Sequence, residues 1–109
     1  MYNIWFTSFE GPIEKPVGEA LTYTWTVSDM FYDAFRETSN KGFRCLNGMK
    51  GSEALGALDK ALMRFVTRAK EYREMQPKSG FGSYEDALIV LRKMRDFLRT
   101  NPNVIVSVE

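Results

Sequence analysis

The residues best equipped for chemistry in this chain lie between Gly42 and Glu53, in the run Gly42-Phe43-Arg44-Cys45-Leu46-Asn47-Gly48-Met49-Lys50-Gly51-Ser52-Glu53. Arg44 and Lys50 bring positive charge and Asn47 an amide. The glycines reach backbone angles closed to other residues and let other groups approach the main chain. With backbone N–H groups and a helix starting at Ser52, the segment could cradle an anion. It is not a P-loop: GxxxxGK[ST] is absent, and Lys50 precedes Gly51 instead of following it. The competing reading is a tight structural crossing in which Phe43, Leu46 and Met49 plug the core. Trp5, Phe9 and Tyr84 are aromatics that the patterning does not assign to the core: exposed, they could stack on a flat ligand or anchor a protein, and burial in the core or under the proline loop is an equal alternative. The candidate ligand site is thus Arg44, Asn47, Lys50 and Tyr84, with Trp5 as a stacking face.

Three other clusters carry weaker signals. Asp29, Asp33 and Glu37 recur at i, i+4 and i+8, a spacing that puts three carboxylates on one helix face and could hold Mg²⁺. A solvated acidic face is the simpler account, since acids are favoured near a helix start. Lys60, Arg64 and Arg68, and separately Arg92, Arg95 and Arg99, could meet phosphates. Acids stand close to both sets and no nucleic-acid-binding motif is present, so the reading is polar faces with i,i+4 partners, and nucleic acid is not an expected partner. Cys45 has Arg44 beside it, which would lower its pKa. With no second thiol, Cys45 reads better as a small core residue.

Composition removes whole classes of chemistry. The 109 residues contain no histidine and one cysteine. A Ser-His-Asp or Cys-His mechanism within the chain is excluded, and neither zinc nor any other cofactor is expected. The single thiol forbids an internal disulfide and suits a reducing compartment. No apolar run approaches the roughly 20 residues of a membrane helix, and the first residues lack the basic-then-apolar plan of a signal peptide. A cytoplasmic protein without membrane contact is expected. Net charge is +1 but divided unevenly, with five cations against eight acids in residues 1–59 and ten against six in 60–109. Such a split can orient a partner or self-assembly into a homo-oligomer.

Position within the fold follows from periodicity. Residues 2–9 read as a strand, 10–19 as a proline-glycine loop, and 21–27 (LTYTWTV) as a strand with perfect alternation. Ser28 is expected to cap a helix ending near Thr38-Ser39-Asn40, and Ser52 a second over 53–75 carrying Leu55, Leu58, Leu62, Phe65, Ala69 and Tyr72. After a break at Gln76–Gly82, Ser83 is expected to cap a third helix over 84–100, stopped by Asn101-Pro102. Residues 104–108 read as a last strand that joins strand 1 or strand 2, with parallel pairing allowed by the helical crossover. The order ββαααβ predicts a single α+β domain over 1–109, a small sheet packed against three helices.

The run Thr22–Phe31, followed by Gly42-Phe43-Arg44-Cys45-Leu46-Asn47-Gly48-Met49-Lys50-Gly51-Ser52-Glu53-Ala54, resembles a family of small uncharacterised bacteriophage and bacterial proteins. Their pattern is T-Y-N-(Y/V)-S-x-(M/I)-F, then G-(I/F)-R-x-L-x-G-M-x-G-x-E. The likeness spans about residues 22–98 and departs at Thr24 and Trp25, where the family carries Tyr-Asn. It implies a phage-like setting and a compact, non-enzymatic domain. Four functions stay open: a counter-defence protein that sequesters a small anionic nucleotide signal, an inhibitor that binds a host defence protein, a small metal-dependent nucleotide or phosphoester enzyme built on Asp29, Asp33 and Glu37, and a purely structural or oligomer-forming accessory protein.

Overall fold

The computed structural model describes residues 2–10, 13–18, 20–23, 28–76, 78 and 83–109. Strand β1 (Tyr2–Glu10) is the axis of the sheet, and β2 (Ile13–Pro16), β3 (Leu21–Tyr23) and β4 (Ile105–Val108) all pair with it antiparallel. Ile4 is matched with both Leu21 and Val108, and Thr7 with both Pro16 and Ile105. Each strand has only two edges, so β2 and β3 share one edge of β1 and β4 takes the other. Val17 extends the β2 ladder by donating its N–H to the Phe6 carbonyl at 2.8 Å, before a break at Gly18 (φ 72°).

Between β3 and β4 run α1 (Ser28–Ala34), a 3₁₀ turn (Gly42–Leu46), α2 (Gly51–Thr67), α3 (Ala69–Glu74) and α4 (Tyr84–Thr100). The α+β class is therefore as expected. Alternation along β1 and β4 aims Tyr2, Ile4, Phe6, Val106 and Val108 at the helices, where they join Phe31, Phe43, Leu58, Phe65, Leu91 and Leu98 in one buried cluster. Burial of this set is the main stabilising term. Phe31 sits at its centre, with ring centroids 4.8 Å from Phe43 and 6.2 Å from both Tyr2 and Phe65.

Several boundaries differ from expectation, each for a physical reason. β2 lies inside the expected proline-glycine loop, with Pro16 at a sheet edge where its missing N–H is tolerated. Of the expected strand 21–27, β3 covers Leu21–Tyr23, and Thr24–Val27 lie outside the described residues, as do Pro77 and Ser79–Gly82 of the expected break. α1 ends at Ala34 and continues as turns through Thr38. The expected helix 53–75 divides at Arg68, whose φ of −119° and ψ of 30° leave the helical region. α2 is preceded by Lys50 with no side-chain cap, so Ser52 is not the cap. β4 runs antiparallel, not parallel. α4 matches its expected span, and the Ser83 hydroxyl accepts from the Asp86 N–H at 3.1 Å.

Two glycines in α2 make opposite demands. A Cβ on Gly51 would lie 2.9 Å from the carbonyl oxygens of both Asn101 and Pro102, which are backbone and cannot swing away. A Cβ on Gly56 would meet nothing within 4 Å. Gly51→Ala is expected to destabilise by about 1–3 kcal/mol through overpacking. Gly56→Ala is expected to stabilise by about 0.5–1 kcal/mol through helix propensity. Urea denaturation of the two variants side by side checks both signs.

Candidate functional site: the glycine segment and the outer face of the sheet

The Gly42–Gly51 segment is the outer border of the sheet. After the 3₁₀ turn buries Phe43 and Leu46, the chain runs beside the free edge of β4. The Gly48 N–H donates to Val106 at 2.8 Å, the Val106 N–H donates to Met49 at 2.9 Å, and Lys50 bridges Ile105. The Asn47 side-chain oxygen accepts from the Val108 N–H at 2.9 Å and closes the row. An exposed edge strand invites pairing with other chains, and this ribbon covers it. Gly48 takes φ 84°, a left-handed turn that side chains resist.

This arrangement spends the donors that an anion cradle would need. The Gly51 N–H goes to the Val104 carbonyl at 2.7 Å and that of Ser52 to Pro102 at 3.0 Å, while Glu53 and Ala54 both donate to Lys50. The start of α2 is therefore saturated by the chain itself, and the expected cradle of backbone N–H groups and helix terminus is not formed.

The expected site residues are redistributed. Trp5 and Thr7 point to the face of β1 opposite Ile4 and Phe6, where Thr7 is buried at 6% exposure and Trp5 keeps part of its surface. The register places Lys50, Ile105, Thr7 and Pro16 in one row across that outer face, with Ser107 and Trp5 in the next and Asn3 beside Glu109 beyond them. Neither Trp5 nor Ile105 belongs to the buried cluster that gathers the helices, and both are only half-buried. With strands ~4.8 Å apart and ~3.4 Å per residue, the Lys50 and Trp5 Cα positions are about 12 Å apart, within reach of two long side chains aimed at one ligand. Arg44 lies further along the border, its guanidinium 5.5 Å from the centre of the Tyr2 ring. Tyr84 does not join them. It is 4% exposed, stacks on Phe65 at 5.5 Å, donates its hydroxyl to the Phe65 carbonyl at 2.6 Å and lies under the Arg73 guanidinium. That position is near the opposite end of α2 from Gly51. The Phe9 side chain lies outside the described residues.

The carboxylate trio is broken up by an interhelical network. One Asp33 oxygen accepts from the Tyr72 hydroxyl at 2.5 Å and from Arg64 at 3.0 Å, with Arg68 at 3.7 Å. Burial acts to raise the Asp33 carboxyl, but the hydrogen bonds from Tyr72 and Arg64 and the charges of Arg64 and Arg68 outweigh it and hold its pKa below the ordinary value. Burial first, then the Asp33 carboxylate, push the Tyr72 phenol up. Arg64 and Arg68, candidates for phosphate contact, are thus committed to Asp33. Sequence reasoning missed this network because its partners are 31 and 39 residues apart and only the fold joins them. Burial also raises the Cys45 thiol, so the neighbouring Arg44 does not activate it.

Two clefts remain. One of about 260 Å³ is lined by Phe6, Leu21, Lys93 and Phe97, and one of about 300 Å³ by Glu37, Asp59, Lys60, Met63 and Arg64. Among the described residues no group of three metal-ligating side chains forms, and no helix is long and apolar enough to cross a membrane. Compared with models of known protein families, with curated proteins and with solved structures, the chain matches none.

Proposed function

We propose that the protein is a non-enzymatic binding protein that holds a small anionic nucleotide on the outer face of its sheet, in the counter-defence setting that the phage-like resemblance implies. The observation that carries this reading is Trp5, half-buried at the middle of a sheet face that lies outside the helix-covered core, with Lys50 one row away. An indole is a stacking platform for a base, worth about 1–3 kcal/mol per base in nucleic-acid-binding proteins. Lys50 then meets the phosphate as a point charge. The face is also polarised: Lys50 stands at one end and Glu109, beside Asn3, at the other. A ligand with one apolar ring and one anionic end is directed ring on Trp5, phosphate toward Lys50, with Ser107 as the adjacent hydroxyl.

The test is thermal shift against a panel of linear and cyclic nucleotides, followed by calorimetry with the nucleotide that gives the largest shift. A ligand that binds only the folded state raises the melting temperature. Trp5→Leu keeps apolar bulk but removes the stacking surface, and is expected to weaken binding about tenfold or more. Lys50→Gln is expected to weaken it several-fold and flatten its salt dependence. A flat panel, or full affinity in folded Trp5→Leu, overturns the reading.

A further inference from the structure

The solvent face of α2 does not look like an ordinary polar helix face. Met63 is 64% exposed and Val66 61% exposed, and Gly56, one heptad before Met63, leaves the backbone bare with open space above it. At about 100° per residue, Gly56 and Met63 mark the midline of this face, with Asp59 and Val66 on one flank and Lys60 and Thr67 on the other. Asp59 and Lys60 carry no ion pair among the described residues, although both border the 300 Å³ cleft.

We propose that this face pairs with the same face of a second copy, the two α2 helices lying parallel about a two-fold axis. Parallel two-fold pairing brings each flank against the opposite flank of the other copy at the same height. Asp59 of one copy then meets the partner's Lys60, and the reciprocal pair forms on the other side. Met63 packs on the partner's Met63, Val66 lies against the partner's Thr67, and facing Gly56 residues let the backbones approach closely. In an antiparallel arrangement each flank meets the same flank of the other copy, so Asp59 never meets the partner's Lys60, and charge pairing selects the parallel one. The cleft wall adds one acid, Glu37, and Arg64, whose charge is already matched by Asp33, so the surface carries little net charge. That balance suits a second copy better than a strongly charged partner. The patch is small, and the association belongs to the weak class that buries less than about 1,200 Å². The inference does not rest on the nucleotide reading, which concerns the sheet.

Sedimentation velocity over a concentration series up to about 1 mM, where affinities of millimolar order register, tests it. The wild-type chain is expected to pass from monomer to dimer across the series. Asp59→Lys alone and Lys60→Asp alone should each stay monomeric, because each places like charges opposite one another. An equimolar mixture of the two single variants should dimerise again, since the signs then match. Both positions are exposed, and circular dichroism confirms that the variants fold. A wild-type chain that stays monomeric throughout overturns the proposal. So does a dimer that survives both reversals, or a mixture that fails to associate.

Discussion

Phe31→Ala lowers the unfolding free energy by about 3–5 kcal/mol, the range for emptying a fully buried phenylalanine site. Phe31 has no exposed surface, and its ring lies among those of Tyr2, Phe35, Phe43 and Phe65. Those four come from β1, the turn that follows α1, the 3₁₀ turn and α2. Truncation therefore opens a void walled by separate elements, which cannot all close in together. A domain of this size has about 5–15 kcal/mol in total, so the loss is a large share. Urea denaturation gives the value. A loss below about 1 kcal/mol would mean the site collapses freely and that Phe31 is not the centre of the core.

Asp33→Ala is the second large effect, expected to cost about 2–3 kcal/mol at neutral pH because it strands two donors at once. The figure sits below the range for a fully buried pair. Asp33 keeps 19% and Arg64 18% side-chain exposure, so solvent compensates in part. The pH dependence has a defined sign. The Asp33 pKa is lower in the folded state than its ordinary value of 3.8. Its contribution is complete above that value and is lost as pH falls through the lower, folded one. The gap between wild type and Asp33→Ala should be constant from neutral pH down to about 5 and narrow below about 4. A gap that stays the same at pH 2.5 would show that the carboxylate charge is not what the network uses.

How much of this was readable in advance differs from element to element. α4 could be placed closely because its signals are local: Ser83 before it, acids in its first turn, a regular stripe of Ala87, Leu91, Met94 and Leu98, and Pro102 after it. β2 could not, since Ile13-Glu14-Lys15-Pro16 has no strand alternation and is extended because β1 lies alongside. The division at Arg68 left no trace either. Apolar spacing continues through Ala69 and Tyr72, and the chain bends where Tyr72 must reach both Phe65 and Asp33. Ser52 resembled a cap, but the bond from Gly51 to Val104 starts the helix earlier. For the candidate site, residue types were legible and companions were not. Lys50 and Trp5 share a sheet face only because β4, nearly a hundred residues after β1, is inserted between them.

That insertion governs the order in which the molecule can come into being. β1 offers one edge to strands that follow it at once and the other to Ile105–Val108. During synthesis the hairpin side can zip early, while the opposite edge of β1, with Ile4 and Phe6 exposed, waits for about a hundred further residues to emerge. At about 5–20 residues per second the wait lasts on the order of ten seconds, long beside the microseconds in which hairpins and helices form. The border ribbon at Asn47–Lys50 cannot dock until β4 has arrived, so the nascent chain carries an open strand edge that the finished protein never shows.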